Sequence, residues 1–421
     1  MIKTNVIVPV YHSNSRTELR LDSNRVYAGN LRLGNISCKT TTNPQNKKLM
    51  YNSSSGVLSL IENMYLYDGN QLLDQLIGAH HLFAFRTLQK GNAFNFNKNQ
   101  HLIGETNSFY IEQDPNGTEY SDHMRIDANP MGSFNFATSS TDDTLSGWLN
   151  LTAHFNFLKN MVYNVTESGQ QVQKQFIDTN IFKNFRVVIE WRSASEIVSC
   201  FQGKTGDTPV SVEILGPRLF CDEAIGAKLP QQLAFQYNVY EVDTLIGNGT
   251  SAAAGGVIST KARLNGFNGK FVNKLLLMNI NPEKLRDDTG TDGIKCDGSQ
   301  AYLGEVLQLY VNGETLFDFN GIDSDARRLS FLFYSWGPMT LPLGSYGNMS
   351  QDLSKLLTQR VLDMKGRMSY TGCIINDRIV EFAVEHRRTT TAATPSFLMQ
   401  IWAEIPKQIQ VNNGAYNVAY S

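Results

Sequence analysis

The stretch Leu66–Leu76, LYDGNQLLDQL, is written a second time, loosely, as LYVNGETLFDF over Leu309–Phe319. Each copy runs from a strand-like Leu-Tyr pair into a turn dipeptide, then on to bulky apolar residues and an aspartate. Gly69 and Gly313 lie 244 residues apart (313 − 69), and Leu72/Leu316 and Asp74/Asp318 keep that offset. Upstream, so do Tyr27/Phe271, Leu31/Leu275, Leu33/Leu277, Asn35/Asn279 and Ile36/Ile280. NLRLGNI at Asn30 therefore aligns with KLLLMNI at Lys274 without a gap through to the turn. Two separated patches sharing one offset imply a duplicated fold, and 19–74 and 263–318 are expected to fill equivalent places in its two copies.

The turn chemistry agrees. Asp68-Gly69 and Asn312-Gly313 are the dipeptides best suited to a type I′ hairpin, which needs positive φ at both central residues. These four residues, Asp68, Gly69, Asn312 and Gly313, are the structural sites the sequence singles out. After each aspartate a helix is expected, in QLIGAHHLFAFRTLQ after Asp74 and in SDARRLSFLFYSW after Asp318, the second with Asp323 or Ser324 as N-cap. Asp74 and Asp318 recur in both copies, which suits a capping duty for that element better than catalysis.

Elsewhere the chain reads as strand. LNLTAHFNFL at Leu149 alternates, with Leu149, Leu151, Ala153, Phe155 and Phe157 on one face and Asn150, Thr152, His154 and Asn156 on the other. FRVVIEW at Phe185 and FLMQIWAEI at Phe397 read as late strands, one near the end of each copy. The first copy is the longer, with polar loops such as KGNAFNFNKNQ from Lys90 and EQDPNGTEYSD from Glu112. The joint falls in CDEAIGAKLPQQ, Cys221 to Gln232, giving an N-terminal unit 1–222 and a C-terminal unit 223–421. Many short strands, tight turns and long loops in each unit predict an all-β chain of two tandem eight-stranded jelly-roll sandwiches with short helices in the loops.

Composition narrows the function. Charged residues are 18% of the chain, below the usual quarter, and a net charge of −2 gives no reason to expect direct nucleic-acid binding. HRRT at His386 reads as a solvated strand end. No run of about 18 apolar residues exists to span a membrane as a helix, and the N-terminal apolar patch, broken by Pro9, is too short for a secretory signal. Cys38, Cys200, Cys221, Cys296 and Cys373 are odd in number and without CxxC spacing, which predicts neither a disulfide framework nor a zinc site. With sequons explained by the abundance of Asn, the expectation is synthesis in a reducing, intracellular compartment.

Catalytic motifs fail one by one. GKTGD at Gly203 has Val198 where a phosphate-binding loop needs Gly, and GFNGK at Gly266 fails on spacing and reads as a loop. GxSxG, HExxH and GxGxxG are missing. His80 and His81 diverge by about 100° on a helix, so they suit a helix surface or subunit contact better than a shared metal. His154 is expected on the polar face of its strand. Asp142-Asp143 and Asp287-Asp288 sit in Gly/Thr/Ser-rich loops; DDTGTDGIKCDG, Asp287 to Gly298, is composed like a calcium loop but lacks the spacing and terminal Glu of an EF-hand. No catalytic, cofactor or metal residue is assigned.

Two fused jelly rolls without a catalytic motif resemble the double jelly-roll major capsid proteins of the tectivirus, adenovirus, virophage and nucleocytoplasmic large DNA virus lineage. The segments carrying the resemblance are GVLSLIENMYLYDGNQLLDQL from Gly56 and GEVLQLYVNGETLFDFNGID from Gly304. It implies a structural, non-enzymatic protein without cofactors, made inside the host cell and located in the virion. It further implies a homotrimer whose six rolls make a pseudo-hexameric capsomer of an icosahedral shell. Partners would be neighbouring capsomers, minor capsid or penton proteins and an underlying internal membrane. The competing class is a secreted double jelly-roll glycan-processing enzyme or carbohydrate-binding protein, which would favour a signal peptide and exposed Trp clusters; of Trp148, Trp191, Trp336 and Trp402, two fall in expected strands.

Overall fold

A computed structural model describes residues 1–34, 36–40, 60–82, 112–113, 120–121, 149–167, 169–193, 212–247, 257–280, 306–315, 359–363, 381–389 and 397–420. The N-terminal half contributes β1 (Ile2–Ile7), β2 (Arg16–Arg20), β3 (Arg32–Gly34), β4 (Ile61–Asp68), β5 (Gln71–Ile77), β6 (Leu149–Asn150), β7 (Phe185–Trp191) and β8 (Arg218–Ala224). The C-terminal half contributes β9 (Leu233–Gly247), β10 (Val257–Arg263), β11 (Lys274–Ile280), β12 (Val306–Val311), β13 (Glu314–Thr315), β14 (Gln359–Asp363), β15 (Phe382–Thr389) and β16 (Phe397–Asn412).

Pairing among these strands is antiparallel and follows one plan twice. In the first half β1, β8, β3 and β6 lie side by side, and β2, β7, β4 and β5 form the second sheet. In the second half the orders are β9-β16-β11-β14 and β10-β15-β12-β13. Each of these sixteen strands therefore has a counterpart eight places away, while Val26–Ala28, Val162–Glu167, Gln170–Asp178 and Ala415–Tyr420 are additions to one half or the other. This is the jelly-roll order, and both halves are jelly rolls. The segments 19–74 and 263–318 hold equivalent positions: β3 and β11 each pair with the last long strand of their half, and β4 and β12 each open a hairpin. The 222/223 division expected from sequence falls inside β8, which runs on to Ala224, while β9 begins at Leu233.

Alternation explains the core. In β7 Phe185, Val187 and Ile189 are fully buried, and in β16 Met399, Ile401, Ala403 and Ile405 are as well. Inward side chains of both halves join one cluster of buried apolar residues rather than two separate ones.

The hairpins differ by one residue. In the second, Val311 pairs with Glu314, so Asn312 and Gly313 are the central pair, with φ of 51° and 85°. In the first, Asp68 pairs with Gln71, so the central pair is Gly69-Asn70 rather than Asp68-Gly69. Gly69 has φ 57° and Asn70 has no positive φ, the pattern of a type II′ turn and not of type I′. Asp68 stays in the strand because it pairs on its other side with Phe185, while its carboxylate accepts from the Asn184 amide at 2.6 Å. Both turns are moored alike: Gly69 N–H donates to the Asn184 carbonyl, Asn312 N–H to the Glu381 carbonyl, each acceptor lying just before β7 or β15. A Cβ at Gly69 or Gly313 would meet open space, so Gly69→Val and Gly313→Val are each expected to cost only the left-handed backbone penalty, about 1–2 kcal/mol. Thermal melts should show a loss for each variant, the larger at Gly69, where the first position of a type II′ turn suits a side chain less well than the left-handed position of Gly313; a variant as stable as the wild type would mean that its glycine has no positive φ.

Two expected elements change. LNLTAHFNFL is not one strand: after β6 come two short helices, α1 (Leu151–His154) and α2 (Asn156–Asn160). Asn150 is the N-cap of α1, its side chain accepting from Thr152 N–H at 3.1 Å, and Ala153, expected inside, is exposed. After Asp74 the chain stays extended to Ile77, turns at Gly78 and is helical only from Ala79. GFNGK contributes to a 3-10 turn at Asn265–Phe267. The aspartates 142, 143 and 318, the helix expected after Asp318, the Gly203 motif and the Asp287–Gly298 loop lie outside the described residues.

Candidate functional site

Among the described residues, chemistry-bearing side chains do not converge, and no group of three His, Cys, Asp or Glu is placed to hold a metal ion. Cys221 is buried in β8, and burial, with Asp222 beside it, pushes its thiol up to about 12, far from a reactive thiolate. The helix-surface reading of His80 and His81 is overturned: both are buried, their rings 3.9 Å apart. His80 Nδ1 lies 3.2 Å from the Ile61 carbonyl, and burial, His81 and Arg192 together lower its pKa well below the ordinary value. His386 is likewise buried rather than part of a solvated strand end, because β15 alternates and turns it inward. His154 sits at the end of α1 rather than on a strand face. A surface cleft of about 790 Å³ beside the N-terminus is lined by Met1, Ile2, Gly29, Lys174, Gln175 and Phe176, a largely apolar and amide wall with one lysine.

What the residues do build is a junction between the two jelly rolls. Trp402, fully buried on β16, donates its indole N–H to the Ile77 carbonyl at 2.7 Å, and the His81 ring meets its edge at 6.0 Å. Gly78 (φ 62°) makes the close approach possible, since a Cβ there would sit 2.9 Å from Gln400 Nε2 and 3.1 Å from Trp402 Cζ2. Along the same seam Gln75 Nε2 donates to the Tyr240 carbonyl, and Asn156 Nδ2 to the Asn238 carbonyl. Tyr416 of the C-terminal strand Ala415–Tyr420 donates to Asp68 Oδ2 at 2.8 Å. Asp68, expected in a turn, is therefore also a tie between the halves.

A β-bulge makes part of this seam. Leu66 pairs with Asp74 and Tyr67 with Leu72, so Leu73 is the extra residue. Its carbonyl is taken by the Tyr237 hydroxyl at 2.7 Å, and Leu73 and Asp74 are both buried. Asp74 does not cap the element after its own hairpin. Its Oδ2 accepts at 2.9 Å from Phe157 N–H, a first-turn donor of α2, and Oδ1 accepts from Gln75 N–H at 2.8 Å. Phe157 in turn packs edge-on against Phe182 of the N-terminal half and Tyr237 of the C-terminal half. The geometry fastens two sandwiches into one body, a tie that no local pattern of residues announces.

No family model and no curated protein matches the chain. Solved structures do. A chain of the Sputnik virophage structure is 11% identical, with a TM-score of 0.55 over 100% of this chain and 88% of its own. A chain of the PBCV-1 virus capsid is 10% identical, with a TM-score of 0.53 over 100% and 97%. The mavirus major capsid protein is 11% identical, with a TM-score of 0.51 over 99% and 90%. The chain shares the double jelly-roll fold of these structures.

Proposed function

We propose that this chain is a structural major capsid protein, in which the two jelly rolls, expected at 1–222 and 223–421 and parting between β8 and β9, make one building block. Three copies form a homotrimer whose six sandwiches give a pseudo-hexameric capsomer, and such capsomers tile the icosahedral shell of a DNA virus. The observation that carries the reading is the likeness in fold over 99% and 100% of the chain to the mavirus major capsid protein and to a PBCV-1 capsid chain. The seam adds physical support: two sandwiches fixed by buried aromatic and hydrogen-bonded contacts offer a near-hexagonal outline from only three chains. The partners are then other copies of the chain, neighbouring capsomers, minor capsid or penton proteins and, where the shell encloses one, an internal membrane. The site of action is the virion, after synthesis in the host cell, and no enzymatic step is assigned.

Light scattering of the purified protein should give about three times the 47.1 kDa chain mass, and negative-stain images should show hexagonal particles. A monomer at micromolar concentration, or release of glycans from glycoprotein substrates, would overturn this reading in favour of an enzyme.

A further inference from the structure

The seam is built around two imidazoles that fold into it uncharged. His80 and His81 stand on the short helical turn 79–82, whose Leu82 N–H donates to the Gly78 carbonyl at 3.1 Å. His80 is 6% exposed and His81 2%, with ring centres 3.9 Å apart. The same few residues hold the other jelly roll. Ile77 accepts from the Trp402 indole at 2.7 Å, Gly78 lies against Gln400 and Trp402, and the His81 ring meets the edge of Trp402.

A carbonyl only accepts, so the His80 Nδ1 that lies 3.2 Å from the Ile61 carbonyl carries the proton of the neutral ring. Acid must add its proton at Nε2. Among the described residues, the charged and titratable groups about His80 are His81 beside it, Glu62 of β4 and Arg192 just past β7. Across the seam β16 presents Gln400 and Trp402, which do not titrate. Glu62 Oε2 is 3.7 Å from His80 Nδ1 and 3.8 Å from Arg192 Nε, beyond hydrogen-bond reach of either. The Arg192 side chain is 2% exposed and always charged, whereas that of Glu62 is 40% exposed and partly screened by water. A proton on His80 therefore sets a second buried cation against one half-solvated carboxylate, and a proton on His81 sets a third. Such charges are driven toward water, and the turn that carries them is also what covers Trp402.

We infer that the 79–82 turn is an acid-released catch on the junction between the two jelly rolls: protonation of His80 and His81 lifts the turn from Trp402 and loosens one half from the other. The inference stands on the seam within one chain and does not depend on the trimer. Burial, His81 and Arg192 lower the proton affinity of His80 in the closed state. Its contribution to closure is therefore complete above about pH 6.5, where an open imidazole is neutral, and is lost as pH falls below that. Each histidine that takes its proton only in the open state raises the opening equilibrium by about tenfold per pH unit below that point. Ordinary carboxylates stay ionised to about pH 5, so the window above it belongs to the imidazoles.

The test follows hydrogen exchange at the indole N–H groups by NMR, in full-length protein with isotope-labelled tryptophan, at about pH 7.5 and about pH 5.5. Rates are corrected for the intrinsic effect of pH. The Trp402 signal is identified by its loss in Trp402→Phe and reports breakage of its bond to Ile77. Trp191, bonded to Thr17 within one sandwich, is the internal control. In wild type the Trp402 protection should fall by about tenfold or more at the lower pH, while that of Trp191 holds. His80→Gln keeps a donor for the Ile61 carbonyl, and His81→Phe keeps a ring against Trp402. Each should lose part of the response and the double variant nearly all of it. His12→Gln, changed at a histidine that bonds to Thr17 and the Ile214 carbonyl, should respond as wild type does. Unchanged Trp402 protection in wild type overturns the inference. So does an equal fall at Trp191, which would be general acid unfolding, or a full response in the double variant. Should the double variant fail to fold, the single variants decide: a full response in both overturns the inference, and a reduced one upholds it.

Discussion

Trp402→Ala is expected to be the most damaging single substitution at the seam, costing about 3–5 kcal/mol and splitting one unfolding transition into two. The indole is fully buried although it stands on the outward face of its sheet, where an isolated sandwich would leave it in water. Ile77, Gly78 and His81 of the other half of the chain lie against it there. Truncation leaves a cavity between the halves and strips the Ile77 carbonyl of its donor. Trp402→Phe keeps much of the volume and loses the hydrogen bond, so it should cost about 0.5–1.5 kcal/mol beyond the packing change. Trp191 is the control. It is also buried and donates to Thr17 Oγ1 at 2.8 Å, but within one sandwich. Trp191→Ala should lower stability by a similar amount while leaving the two halves to melt together in calorimetry. If Trp402→Ala also melts in a single transition, the halves are coupled elsewhere than through this indole.

The doubled hairpin was legible because turn chemistry and strand alternation are local. Gly69 and Gly313, with the apolar pattern of β7 and β16 around Phe185 and Phe397, carry their own evidence. One step of register was not legible. Whether Asp68 ends the strand or enters the turn depends on Phe185 and Asn184, which are more than a hundred residues away in the chain. The Leu149–Phe157 stretch misled because alternation at period two was satisfied by chance. The two asparagines, Asn150 and Asn156, were the better signal, since Asn150 caps α1 and Asn156 begins α2. The seam itself was invisible. Trp402 reads as an ordinary strand residue, and His80-His81 as a surface pair, until Gly78 brings their neighbourhoods together. Shared offset gave the duplication, but only paired register shows that Phe220, opposite Arg32, and Trp402, opposite Leu276, are the same position in two different settings.

Asp74→Ala is expected to cost about 1.5–3 kcal/mol, the range for a hydrogen bond to a charged group. Both copies place an aspartate after the hairpin, yet nothing in the sequence says what the first one holds. It is buried, and its two oxygens accept from Gln75 N–H and Phe157 N–H. Phe157 N–H belongs to the first turn of α2, where no carbonyl of the helix itself can reach it. Removing the carboxylate leaves that donor without this acceptor in an apolar surrounding of Phe182 and Tyr237. The bulge at Leu73 makes the arrangement possible, because it turns Asp74 inward beside Leu73 instead of out to solvent. Asp74→Asn retains one carbonyl oxygen and should lose about half as much, while Asp74→Leu, close in volume, should do no better than alanine, since the missing quantity is an acceptor and not space. Denaturant midpoints of the three variants therefore order as Asn above Ala and Leu. If leucine matched or exceeded asparagine, packing rather than the Phe157 hydrogen bond would be what Asp74 supplies.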